Sequence, residues 1–149
     1  MNNQLNISQS SSTSSTSSTS STSTSNLLPL VDYELFDDMN LRDELIHGIY
    51  SYGWEKPSQI QKKAIVPITS GRDVIVQAEA GNGKTGAFAI GSLNSIDVTL
   101  NEVQILVLSP SRELSKQTCE IYSKIGLRFR NDESSLIVHN FTGGSSVRL

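Results

Sequence analysis

The chain has 149 residues, 36% of them hydrophobic, and a net charge of −3; that is room for one domain plus a tail, and it excludes a nucleic-acid binder that works through bulk positive charge. One cysteine, Cys119, excludes a disulfide-stapled fold and an all-cysteine zinc site, while His47 and His139 lie far apart without ligand spacing. No apolar run approaches ~18 residues and the N-terminus lacks the regions of a secretory signal, so the reading is an intracellular protein without a membrane span.

Residues 1–30 read as a disordered tail. Positions 10–25 are all Ser or Thr, and 1–25 hold no charge and only Met1, Leu5 and Ile7 as apolar residues. Such a stretch buries too little surface to offset the entropy of ordering. No Ser-Pro or Thr-Pro pair and no flanking basic residue favours a phosphorylation platform over a solvated linker. A mixed entry segment with Pro29 follows.

Residues 40–52 predict a helix: Asn40 as its cap, Asp43 and Glu44 in the first turn, and Leu41, Leu45, Ile49 and Tyr52 on one face. Gly53 stops it. Pro57-Ser58 opens a second helix with Ile60, Ala64, Ile65 and Ile68 as its stripe. Gly71-Arg72-Asp73 reads as a turn. Val74–Ala78 predicts a short buried strand, and a helix from about Lys84 to Asn94 follows a glycine-rich loop. Val103–Leu108 predicts a second buried strand, Arg112–Ile125 a helix, and Leu136–Asn140 a third strand before Thr142-Gly143-Gly144. Strands alternating with helices predict a parallel α/β sheet.

Residues 78–85, Ala-Glu-Ala-Gly-Asn-Gly-Lys-Thr, sit between a predicted strand and a predicted helix, the setting of a phosphate-binding loop. Gly81 and Gly83 let backbone N–H groups turn inward. Lys84 places a point charge on terminal phosphates, the Thr85 hydroxyl can ligate Mg²⁺, and the helix N-terminus adds its dipole. The plain alternative is a glycine turn with a surface lysine, and chance makes Gly-x-Gly-Lys-[Ser/Thr] in roughly one in 200 chains of this length.

With these elements in order, residues 31–149 resemble the N-terminal part of a DEAD-box ATP-dependent RNA helicase of the translation-initiation type. Four markers carry the resemblance. Phe36 and the block Gly53-Trp54-Glu55-Lys56-Pro57-Ser58-Gln59-Ile60-Gln61 resemble the family's adenine-recognition motif. The loop 78–85 resembles its phosphate loop, Pro110-Ser111-Arg112-Glu113-Leu114 its RNA-backbone motif, and Gly143-Gly144 its double-glycine RNA contact.

The resemblance implies an α/β fold: a partial RecA-like P-loop domain, residues 31–149, serving as an ATP-binding helicase lobe. It implies ATP and Mg²⁺ as cofactors, held by Phe36, Trp54, Pro57, Gln61, Ala80, Gly81, Asn82, Gly83, Lys84 and Thr85. Thr85 would serve the metal. RNA would be bound without regard to sequence through Pro110, Ser111, Arg112, Gly143 and Gly144. A cytoplasmic protein with translation initiation factors as partners is implied as well. A Gln amide can bond an adenine edge at two points, and Phe36 resembles the ring that stacks on the base. Gln61 could instead be a solvent-facing helix residue, Trp54 a core aromatic beside Pro57, Arg112–Glu113 a plain capped helix start, and Gly143-Gly144 a turn.

The chain departs from the family pattern in places. Ala78 stands where Gly is frequent, Glu79 where Gln is usual, Ala80 and Asn82 where small hydroxyl residues are usual, and Ser111 in place of Thr. No Asp-Glu-Ala-Asp sequence occurs, so no catalytic residue is assigned, and the resemblance implies a lobe cut before that motif. The strand at 74–78 is then expected to lack its partners. The alternative to a helicase is an inactive, degenerate copy with at most weak ATP or RNA binding.

Overall fold

The computed structural model describes residues 7–8, 33–130 and 135–144. The expected disordered tail lies outside the described residues except for Ile7–Ser8. Four helices dominate: α1 (Asp43–Ser51), α2 (Gln59–Thr69), α3 (Lys84–Leu93) and α4 (Arg112–Ile125), with 3-10 turns at Phe36–Met39 and Gly126–Arg128. β1 (Ile7–Ser8) and β2 (Ile75–Val76) pair antiparallel.

The helix boundaries follow local chemistry. α1 ends because Gly53 takes φ 95°, which lets its N–H reach the Tyr50 carbonyl and the Trp54 N–H reach Ile49. α2 starts at a capping box, with Ser58 Oγ accepting from Gln61 N and Gln61 Oε1 accepting from Ser58 N at 2.8 Å. α4 starts at Ser111, whose Oγ accepts from Leu114 N at 3.2 Å. Asn40 corrects an expectation: it does not cap α1. It sits at φ 52° as the left-handed end of the preceding 3-10 turn, and Arg42 precedes α1 without a side-chain cap. Asn tolerates both roles, so its position alone did not separate them.

One core joins the helices. Leu45 and Ile49 of α1, Ala64 and Ile65 of α2, Ala89, Ile90 and Leu93 of α3, and Tyr122 and Ile125 of α4 are buried together with Phe36, Met39 and Phe129. Close approaches are made by small residues. A Cβ at Gly91 would lie 2.6 Å from Ile68 Cγ2, so α2 and α3 touch there. Arg42 joins the elements at one end: its N–H donates to Asn94 Oδ1, its Nη1 donates to the Ile96 carbonyl, and its guanidinium lies 4.9 Å from the Phe129 ring centre.

The sheet differs from expectation. Residues 103–108 and 136–140 form no ladder, and the described residues add only the isolated bridge Arg130–Ser135. A strand exists only by the hydrogen bonds of a neighbour, and apolar, β-branched sequence without one stays merely extended. β2 is shorter than the expected 74–78, Ile75 is exposed, and its partner runs antiparallel rather than parallel. Among the described residues this strand lacks the parallel neighbours it was expected to lack, and β1 pairs with it instead. Among the described residues no helix is long and apolar enough to cross a membrane.

Candidate functional site

The loop from β2 to α3 turns through the left-handed region at Gly81 (φ 84°) and Gly83 (φ 86°). Gly83 is the N-cap of α3, and the first bond into the helix runs from Ala87 N to Gly83 O at 3.0 Å. The amides of Lys84, Thr85 and Gly86 precede it. They therefore have no carbonyl of the helix to bond and carry the positive end of its dipole. That is the arrangement an anion needs.

Lys84 lies within the loop. Its Nζ donates to the Ala78 carbonyl at 2.5 Å and to the Glu79 carbonyl at 2.6 Å. Two of the three ammonium donors thus close the loop on itself. The positive charge stays at the mouth of α3, where the amide dipoles also point. Ala80, Gly81 and Asn82 form the exposed rim, and Glu79 is exposed beside them.

The N-terminus of α2 holds this loop from below. Ser58 Oγ donates to the Asn82 carbonyl at 2.9 Å, and Gln61 Nε2 donates to the Gly83 carbonyl at 3.4 Å. Gln61 is 4% exposed, so it does not face solvent. Its amide faces the loop, and the long bond to Gly83 is the weaker of its two. A Cβ at Gly86 would lie 2.5 Å from Gln61 Nε2 and 2.6 Å from Trp54 Cη2, so α3 can approach only as glycine. Trp54 is half-buried, edge-on to Tyr52 at 4.8 Å, and Pro57 is buried beside α2. Both support packing in the position the structure gives them. Ser58 was missed as a contact to the loop, although the Ser-x-x-Gln pattern at 58–61 signals its capping role.

Phe36 is placed differently from a base-stacking ring. It is fully buried, in edge contact with Tyr50 at 6.3 Å. The Tyr50 hydroxyl donates to Asp37 on the same turn, and that bond, more than burial, pushes the Tyr50 pKa up to about 12. The ring of Phe36 is thus part of the core and offers no open face to a base.

The second set of markers comes together on one surface. Pro110, Ser111, Arg112, Gly143 and Gly144 are all exposed. A Cβ at Gly143 would lie 3.4 Å from Arg112 Nη2, and one at Gly144 4.0 Å from it. The guanidinium therefore lies against the glycine pair, which leaves backbone and charge accessible side by side. Ser115 Oγ donates to Asn140 Oδ1 at 2.5 Å and ties α4 to the segment that carries the glycines; neither residue was singled out from sequence. The Ser111 hydroxyl is engaged in capping α4.

For a divalent cation the fit is limited to one hydroxyl. Thr85 stands at the first turn of α3, half-buried. Among the described residues no group of three or more His, Cys, Asp or Glu could hold a metal. Thr85 can supply one oxygen, and Mg²⁺ takes its remaining ligands readily from phosphate and water.

A family model described as DEAD/DEAH box helicase matches residues 58–149. A probable eukaryotic initiation factor 4A of Trypanosoma brucei brucei is 53% identical over 113 residues, covering 76% of this chain and 28% of the relative. The chain thus spans little more than a quarter of that relative's length. The fold is similar to that of a solved DEAD box protein from Methanococcus jannaschii, with a TM-score of 0.65 and 31% identity over 78% of this chain and 31% of that one. It is also similar to Saccharomyces cerevisiae Dbp5 bound to RNA and ADP BeF3, with a TM-score of 0.59 and 35% identity over 64% of this chain and 25% of that one.

Proposed function

The chain belongs to the DEAD/DEAH box helicase family, and from that premise we propose that it contributes the ATP-phosphate site and part of the RNA-backbone surface of an RNA helicase of the initiation factor 4A type. The observation that carries the reading is Lys84, held by the Ala78 and Glu79 carbonyls at the open N-terminus of α3. The similarity to a structure described as holding RNA and ADP BeF3 supports it.

In this reading the β- and γ-phosphates of ATP meet the amides of Gly81 to Thr85, and Lys84 exchanges its carbonyl bonds for phosphate oxygens. Both partners are then charged, and such bonds are about twice as strong as neutral ones. Mg²⁺ would supply neutralisation of the phosphate charge, with Thr85 holding it from the protein side. Gln61 lies one bond from the loop and can trade its long contact to Gly83 for an adenine edge. Trp54 and Pro57 keep α2 against α3 and so fix the height of Gln61. Stacking by Phe36 requires the Phe36–Met39 turn to open. Hydrolysis and unwinding are proposed for the helicase as a whole, as are translation initiation factors as partners and a cytoplasmic location.

Competition for a fluorescent ATP analogue tests the reading. ATP should displace it about tenfold more readily than GTP, the worth of roughly one good hydrogen bond. Gln61→Ala should bring the two within about twofold. No saturable binding of the analogue would favour the degenerate copy, and equal competition by ATP and GTP would remove Gln61 from base recognition.

Arg112 and the glycine pair would meet RNA through phosphate and sugar, so sequence is ignored. Arg112→Ala should weaken binding of single-stranded RNA about tenfold and equally for different sequences, and should lower the salt slope by about one. Filter binding at two salt concentrations measures both. A loss confined to one RNA sequence would contradict backbone recognition.

A further inference from the structure

The loop 78–85 carries two charged residues, Glu79 and Lys84, and its other six residues are uncharged. Its formal charge is therefore zero, although in the proposed function it meets the polyanionic end of a nucleotide. Glu79 stands beside the ammonium. Its carbonyl accepts from Lys84 Nζ at 2.6 Å and from Asn82 N at 3.4 Å. Only three side-chain bonds separate that backbone from the carboxylate, which therefore lies within about one Debye length of Lys84 Nζ, ~8 Å at physiological salt. Glu79 is exposed, and among the described residues its carboxylate takes no hydrogen bond and no ion pair. Its charge is thus uncompensated by any direct partner and acts on whatever occupies the mouth of α3.

We propose that Glu79 is a charge filter at this site: it favours the metal-bound nucleotide over the metal-free one. The proposal rests on the nucleotide reading above and deepens it. Lys84 and the amides at the start of α3 attract phosphate whether or not a metal is bound. A carboxylate beside them repels the phosphates in proportion to the charge they carry. Metal-free ATP presents that charge in full. Mg²⁺ cancels part of it, and the ion is itself attracted to a carboxylate, a hard oxygen donor of the kind it prefers. Glu79 therefore weakens the binding of metal-free ATP more than that of MgATP. In the proposed function Thr85 selects the metal by ligating it. Glu79 adds a second preference, which acts through space, needs no coordination and is screened by salt. A neutral amide of the same shape at position 79 leaves both forms of the nucleotide to Lys84 and the helix dipole. Exposure sets the size of the effect, because two exposed charges change an equilibrium by about fivefold at most.

Titration of the 149-residue chain with the fluorescent ATP analogue, once in Mg²⁺ and once in EDTA, gives the preference as a ratio of two dissociation constants. At low salt Glu79→Gln should lower that ratio about fivefold, chiefly by tightening binding in EDTA. Glu79→Asp keeps the charge and should keep the parent ratio. At about 1 M salt, where the Debye length is ~3 Å, Glu79→Gln and the parent should agree within about twofold. Asp73→Asn removes an exposed carboxylate that precedes β2, on the side away from the loop. It should leave the ratio unchanged, which separates a local effect from one of net charge. An unchanged ratio in Glu79→Gln at low salt overturns the filter, as does an equal fall in Glu79→Asp or in Asp73→Asn. If binding in Mg²⁺ is then still saturable and lost in Lys84→Ala, the nucleotide reading stands and the filter alone has failed. No saturable binding by any of these chains overturns both.

Discussion

Replacing Lys84 with Ala should lower ATP affinity about 100-fold. The ammonium sits at the mouth of α3, 2.5 Å from the Ala78 carbonyl and 2.6 Å from the Glu79 carbonyl. In the proposed function its binding energy would arise from exchange of those neutral acceptors for phosphate oxygens. The exchange replaces neutral acceptors with a charged one; the attraction of two unit charges 4 Å apart near a protein surface is about 4 kcal/mol, of which about 2.7 kcal/mol corresponds to 100-fold. The cost to folding should be small, since the loop is exposed and the core lies beneath α2 and α3. Titration with the fluorescent ATP analogue reads the affinity, and a thermal melt shows that the fold persists. An unchanged affinity in Lys84→Ala would mean that the lysine only closes the loop.

Gly48→Ala should lower the melting temperature by about 6 °C or more. A Cβ at this position would lie 1.9 Å from the Ile125 carbonyl oxygen and 2.9 Å from its carbon, both of them backbone atoms that no rotamer change can move. α1 must therefore withdraw from α4, and the contacts of Leu45, Ile49, Tyr122 and Ile125 loosen with it. Overpacking of this kind costs about 3 kcal/mol at the upper end of the usual range. The better helix propensity of alanine offsets up to about 1 kcal/mol of that. The remaining ~2 kcal/mol corresponds to about 6 °C in a domain of this size. Gly53→Ala is the control. It has open space around it but φ 95°, so its cost is backbone strain alone, about 1 kcal/mol. A Gly48→Ala melt within about 2 °C of the parent would show that α1 and α4 are not held together there.

The helices were legible because their signals are local. Ser58 marks one start, Gly53 marks an end, and apolar residues at helical spacing became the buried faces of α1 and α2. Asn40 was misread because the same short polar side chain suits a helix start and a left-handed turn. Val103–Leu108 and Leu136–Asn140 have strand composition, yet a ladder depends on residues distant in sequence, which composition does not report. The loop 78–85 was legible as a loop, since glycine spacing demands it. The burial of Gln61 and of Phe36 was not, because it depends on how closely α3 and Tyr50 approach. Arg112 and Gly143-Gly144 were separate motifs in sequence; the Ser115–Asn140 contact and the packing of Leu136 and Val138 on the core bring them together.

The proposed function requires a phosphate site at the open start of α3, built from Gly81, Asn82, Gly83, Lys84 and Thr85. The most direct measurement is the amide ¹H–¹⁵N spectrum of the 149-residue chain during titration with MgATP. Saturable shifts of the Gly81–Thr85 amides, accompanied by the side-chain amide of Gln61, are expected, with only small changes in α1. Shifts absent from the loop at saturating MgATP, or confined to residues outside the loop and its α2 support, would contradict the proposed function.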